Sequence, residues 1–195
     1  RPSDGKEIKS VVFVQCAGQR SDKEGELPYC SGHCCNTSIK QAMYFRDQNP
    51  DIDTNIIYTD LRTPGNGEDF YRSAQKKGVT FTKGSVSDVT PANGTLEVKF
   101  KDLILNDDAI AKADLVVLAT GQVPNSGVDI DSVPQDEPGK WATNPQSVLN
   151  LVYRQGKDLP LLKHGFNDSH FICFPYETRR TGIYTAGPVR RPMDM

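Results

Sequence analysis

The chain has 195 residues, 36% hydrophobic and 25% charged, with 23 lysines and arginines against 25 aspartates and glutamates for a net charge of −2. That length fits one α/β domain, or one domain and part of a second, and the balanced charge excludes a broad electrostatic preference for nucleic acid or anionic lipid. No apolar run reaches the roughly 18 residues of a membrane helix and no basic start with an apolar core marks a secretory leader, so a cytoplasmic protein is expected, with membrane association only through partners.

The first predicted element is a strand at 11–15, a β-branched and aromatic run ending in the tight turn Cys16-Ala17-Gly18. A charged loop with Pro28 leads to a helix over 31–48, where Cys35, Ile39, Ala42 and Met43 recur at helical spacing until Asn49-Pro50 stops it. A strand at 55–59 completes a βαβ crossover, so the first two strands should run parallel. Next come a helix at 68–77 closed by Gly78 and a strand at 79–83. Alternating runs at 95–100 and 101–105 predict an antiparallel hairpin or meander laid on the main sheet. The run 113–121 predicts a buried central strand ending in the small-residue turn Ala119-Thr120-Gly121. From Gln122 on, prolines and glycines break the chain, with one helix expected near 145–154 and a short last strand at 182–186. The fold class expected is α/β, a doubly wound and mostly parallel sheet, with a pseudo-nucleotide-binding domain over 1–121 and a partial second domain over 122–195. A chain that starts at Arg1 and stops at Met195 after a turn-rich stretch reads as a segment of a longer polypeptide.

Four of the five cysteines fall between Cys16 and Cys35, separated by thirteen residues to Cys30, three to Cys34, and none to Cys35. An odd, clustered set in a chain of this size is unlike an extracellular disulfide framework and fits reduced thiols. Soft thiolates suit an iron-sulfur cluster or zinc. His33 supports zinc, whereas the spacing lacks the Cys-x-x-Cys knuckles of an ordinary tetrahedral site. The cysteines occupy the turn after the first strand, where a dinucleotide-binding domain carries Gly-x-Gly-x-x-Gly, so no ordinary NAD(P) binding is expected of this domain. Cys173, between Phe171-Ile172 and Phe174, reads as a core residue, and the aromatics Trp141 and Tyr153 read as core or subunit-contact residues. The pairs Arg179-Arg180 and Arg190-Arg191 read as solvated surface, with an anionic cofactor or partner as the alternative.

The blocks VVFVQCAG, PYCSGHCCNTSIKQA, IIYTDLRTPGNGEDFYRSAQKKGVTF and ADLVVLATG resemble the A subunit of heterodisulfide reductase. The last block, FICFPYETRRTGIYTAGPVRRPMDM, looks closer to the flavin and iron-sulfur subunit of the quinone-interacting membrane-bound oxidoreductase complex of sulfate reducers. The resemblance implies a thioredoxin-reductase-like fold in which 122–195 returns to an FAD-binding domain. It implies that Cys16, Cys30, Cys34 and Cys35 ligate a 4Fe-4S cluster, and that Ala119, Thr120, Gly121, Gly182, Ala186 and Gly187 lie along FAD. Pro188 stands where related flavoproteins often carry an acidic residue. Little FAD affinity is expected of this piece without the strand-glycine-helix unit that grips the ADP moiety. Arg20, His33 and Lys40 are candidates to balance cluster charge.

The implied function is an electron-transfer module of an oxidoreductase complex, passing electrons between FAD and a 4Fe-4S cluster toward a partner subunit or quinone. The piece alone is not expected to be active. The alternative is a zinc-stabilised interaction domain without redox activity. A thiol-disulfide oxidoreductase is a third reading, disfavoured because Cys-x-x-Cys is absent and adjacent cysteines close a strained ring.

Overall fold

Val11, Val12, Phe13 and Val14 are apolar on both faces of an extended chain, so they require a strand covered on both sides. In the computed structural model, which describes residues 1, 4–129, 142–143, 147, 160–169 and 172–193, all four are 6% exposed or less. They form strand β1 (Ser10–Val14), flanked in parallel by β2 (Asp53–Tyr58) and β6 (Leu115–Leu118). The chain divides into two compact units. One comprises Arg1–Ala17 with His33–Gly121, the other Gly18–Gly32 with Gln122–Met195.

The first unit is a six-stranded sheet in the order β5-β4-β3-β2-β1-β6. Helix α1 (Cys34–Gln48) buries Cys35, Ile39, Ala42 and Met43, a stripe on one face, and its last turn closes with the Asn49 N–H donated to the Phe45 carbonyl. Helix α2 (Gly67–Lys76) opens on Glu68 and Asp69 and closes on Lys76, the order that complements its dipole. Gly78, at φ +85°, takes the left-handed position that ends it. Both helices cover one face of the sheet, where Val11, Phe13 and Ile56 meet Ile39, Ala42, Met43 and Ala74.

Strand β3 (Thr80–Ala92) runs parallel to β2 as far as Lys83, then pairs antiparallel with β4 (Thr95–Asp102) from Gly84 onward. At the changeover Gly84 has no Cβ because there is no room for one: it would lie 2.7 Å from Phe100 Cδ2. Strand β5 (Asp108–Ala113) completes the meander. Val98, Phe100 and Ala113 cover Val12, Val14 and Ile57 on the face opposite the helices. The result is helices, a parallel sheet and an antiparallel meander in three layers, the α/β class and the laid-on meander expected.

Several expectations are corrected. The run 101–105 is not a strand: Lys101 and Asp102 end β4, and Asp102 Oδ1 then accepts from the Ile104 and Leu105 amides at 2.7 and 2.9 Å, turning the chain. Its strand-like residues Ile104 and Leu105 are each 75% exposed. The strand over 113–121 is not central; β6 is the edge of this sheet among the described residues and is half-buried, with Leu118 exposed. Helix α1 begins at Cys34, not residue 31, because Gly32 at φ +75° breaks the helical path before it.

In the second unit two short strands pair antiparallel, β7 (Val128–Asp129) and β8 (Ala142–Thr143). No strand forms at 182–186 among the described residues. A single bridge joins Glu177 and Tyr184, and a 3-10 turn follows at Gly187–Val189. Cys173 is exposed, as are Ile172 and Phe174, because a run of turns and Pro175 leave no regular element to bury the apolar side chains. Trp141, Tyr153, Phe171 and the helix expected near 145–154, Ser147 excepted, lie outside the described residues.

Candidate functional site

In the first unit, β1 runs out at the carboxyl edge of the parallel sheet, the edge at which open α/β sheets place ligands. The Gln15 amide donates to the Ile57 carbonyl at 3.0 Å and the Ala119 amide to Val14 at 3.0 Å, so the chain is held on both sides up to this point. Cys16 then takes φ 55°, a left-handed conformation unusual for a residue with a Cβ. Gln15 is 8% exposed, and both heteroatoms of its side-chain amide are enclosed without a hydrogen-bond partner among the described residues. Leaving such a group unsatisfied costs about 1–3 kcal/mol. Sequence reasoning missed Gln15; the one signal was a polar residue closing an otherwise apolar strand.

Cys34 and Cys35 are the first two residues of α1, so they sit at the end where the helix dipole favours negative charge. His33 is the N-cap; its side chain makes no capping hydrogen bond, and the first turn holds no acidic residue. Cys35 is 7% exposed and Cys34 half-buried.

Cys30 belongs to the second unit, on a loop that a polar network fixes. The Leu27 amide donates to the Gly18 carbonyl at 2.8 Å, and Gln19, 5% exposed, accepts at Oε1 from Ser31 N and Oγ at 3.2 and 2.6 Å. Ser31 Oγ in turn accepts from the Gln122 amide at 2.8 Å. Tyr29 donates its hydroxyl to the Gln122 carbonyl at 2.9 Å and stacks edge-on with Phe166; burial pushes its pKa up to about 12. The Gly32 amide donates to Cys30 Sγ at 3.4 Å, the kind of N–H···S contact that tunes a metal-bound sulfur.

All five cysteines stand as thiols. Among the described residues no three histidine, cysteine, aspartate or glutamate side chains are gathered as a metal-holding group. Of the four expected ligands, Cys16, Cys34 and Cys35 belong to the first unit and Cys30 to the second. The expected flavin residues divide between the units. Ala119, Thr120 and Gly121 follow β6, Gly121 at φ 88°; Gly182, Ala186 and Gly187 belong to the second unit, with Gly182 and Gly187 at φ 85° and 62°. The Gly182 amide donates to Glu177 Oε1 at 2.9 Å.

The arginine pairs are largely engaged within the second unit: Arg179 pairs with Asp168 at 2.7 Å, Arg180 is 3% exposed, and Arg190 lies 5.4 Å over the Tyr176 ring. Arg191 is exposed. Of the proposed charge-balancing residues, Arg20 is exposed on its loop, and Lys40 is exposed on α1 with its ammonium 5.9 Å from the Tyr44 ring centroid. The first unit also has a cavity of about 320 Å³ that sequence reasoning did not foresee, lined by Tyr58, Asp60, Glu68, Tyr71 and Lys83 among others. Two carboxylates and one ammonium give it no surplus of positive charge for a pyrophosphate. No helix among the described residues is long and apolar enough to cross a membrane.

Fold and site together define an α/β domain with a parallel βαβ core in which the turn after the first strand carries cysteine where a dinucleotide-binding domain has its glycine fingerprint. Over its full length the chain is homologous to one segment of the heterodisulfide reductase A subunit. It is 33% identical over 199 residues to the second iron-sulfur A subunit of the CoB–CoM heterodisulfide reductase of Methanopyrus kandleri, and 34% identical over 200 residues to the iron-sulfur A subunit of Methanocaldococcus jannaschii. It is 32% identical to the A subunit of the H(2):CoB-CoM heterodisulfide,ferredoxin reductase of Methanothermobacter marburgensis. All of this chain is matched in each case, and it spans 27% of the length of each relative. No family model matches. Among solved structures, thioredoxin reductase of Lactococcus lactis aligns with a TM-score of 0.49 at 14% identity, covering 97% of this chain and 46% of that one.

Proposed function

We propose that this chain is an electron-transfer module of an iron-sulfur flavoprotein oxidoreductase, with Cys16, Cys30, Cys34 and Cys35 as the ligands of a 4Fe-4S cluster. The observation that carries the reading is the placement of two of these thiols in the first turn of α1, with no acidic residue in that turn. A cluster bound by four thiolates is anionic, and a helix N-terminus together with N–H donors such as Gly32 offsets that charge. The residues therefore fit the group in donor chemistry. Metal binding supplies the free energy that draws thiolates together.

The cluster and FAD supply the redox chemistry when bound; the chain's own residues position them, exclude water and set their potentials. Ala119, Thr120, Gly121, Gly182, Ala186 and Gly187 are the proposed flavin contacts, small or left-handed positions that let a cofactor approach the backbone. The relatives' names describe iron-sulfur subunits and ferredoxin-linked reductases, which supports a role inside a multi-subunit redox assembly. We assign the electron acceptor to a partner subunit, with quinone and the membrane reached only through it, as in the sulfate-reducing complex that the last block resembles, and the setting to the cytoplasm.

The test is anaerobic purification followed by iron, sulfide and zinc analysis with a visible spectrum, on the protein and on Cys34→Ser. About four irons and four sulfides per chain, lost in the variant, are expected. One zinc and a colourless protein would replace the reading with the zinc-stabilised interaction domain.

A further inference from the structure

We propose that the side-chain amide of Gln15 donates a hydrogen bond to a sulfur of the cluster and thereby raises its reduction potential. The inference rests on the cluster reading above and adds to it a residue outside the ligand set.

Gln15 prolongs β1 by one residue through its bond to Ile57. The two-residue alternation that sends Val11 and Phe13 into the core beneath α1 sends Gln15 to the same face. On α1, Cys35 lies one turn before Ile39, within the stripe that faces this core. A helix returning from β1 to a parallel neighbour runs against the strand, so its first turn lies over the strand's carboxyl end. Gln15 and Cys35 therefore lie at one end of one largely apolar cluster, an amide and a thiol beside aliphatic and aromatic side chains.

Nothing in the described structure answers that amide. Gln15 is only 8% exposed, and both its side-chain heteroatoms lack partners among the described residues. Buried polar groups are almost always satisfied, and an exception marks either strain or a missing ligand. A leucine or methionine of similar size would suit the cluster of valine, phenylalanine and isoleucine better. The amide has a use if an acceptor comes to it, and thiolate and sulfide are acceptors. An N–H donor stabilises the more negative, reduced cluster over the oxidised one, so it moves the potential upward.

The experiment compares the protein with Gln15→Leu and Gln15→Met, each anaerobically purified, assayed for iron and sulfide, and titrated redox-potentiometrically with EPR readout. Both variants keep a side chain of similar bulk, so either serves if the other folds poorly. The expected result is unchanged iron content with the one-electron equilibrium shifted about tenfold toward the oxidised form, about 59 mV lower. A midpoint identical to that of the unaltered protein in a variant with full iron content overturns the hydrogen bond and leaves the cluster reading standing. Absence of iron and sulfide from the unaltered protein overturns both.

Discussion

Substituting Cys16 by glycine and, separately, by valine divides the residue's chemistry from its backbone. Cys16 holds φ at 55°, and left-handed backbone costs a residue with a Cβ about 1–2 kcal/mol. Glycine removes that cost but gives the unfolded chain more freedom, which opposes folding by about 0.5–1 kcal/mol. The net expectation for Cys16→Gly in metal-free, reduced protein is a gain of about 0.5–1 kcal/mol. Valine, branched at Cβ, is a true outlier in this region, and Cys16→Val should lose about 1–2 kcal/mol. Urea unfolding of both variants in chelator and reductant should therefore separate them by about 2 kcal/mol, read from the midpoints at constant slope. Both should fail to hold a full iron complement, since neither supplies a thiolate. Equal midpoints would refute the strain argument, and a full complement of iron in either variant would remove Cys16 from the ligand set.

Two further expectations concern the scaffold. Gly84→Ala puts a Cβ 2.7 Å from the Phe100 ring and 3.2 Å from the Lys101 carbonyl, so a loss of about 1–3 kcal/mol is expected; an unchanged urea midpoint would contradict the close approach drawn at the strand changeover. Asp114 accepts from the Lys9 and Ser10 amides at 2.9 and 3.2 Å, and these hydrogen bonds, that from Lys9 foremost, hold its carboxyl below its ordinary value of 3.8. A depressed carboxylate stabilises the fold above its ordinary value, and the contribution fades as pH falls through the folded value. Asp114→Asn should cost about 1 kcal/mol at pH 7 and converge with the unaltered protein in strong acid. A constant difference across that range, followed by urea unfolding, would show that the charge is not what matters.

How far the sequence foretold the structure depended on how local the signal was. The βαβ opening was legible because Val11 to Val14 have no polar face and Ile39, Ala42 and Met43 repeat at helical spacing. Strand β5 was missed because Asp-Ala-Ile-Ala-Lys-Ala has weak strand propensity, and its pairing with β4 decides its conformation. The neighbouring Leu-Ile-Leu at 103–105 was misread for the converse reason: apolar residues were taken for a strand although Asp102 caps a turn there. The cysteines stood out by spacing alone. The left-handed backbone at Cys16 and the enclosed amide of Gln15 did not, since both depend on where β2 and β6 hold the end of β1.

The sheet's connectivity also sets an order of assembly. The meander and the βαβ opening pair segments that follow one another closely, whereas the Asp114 bonds at the start of β6 join residues up to 105 apart in the chain. Contacts of such separation carry the largest loop-closure cost and form slowly. Cys34 and Cys35 ride on a helix with local hydrogen bonds, while the segment carrying Gln15 and Cys16 gains its second neighbour only when β6 docks. The expected sequence during refolding is helix first and strand end last, so that amide-exchange protection at Val14 lags protection in α1, and the late-set thiol is the one in the left-handed turn.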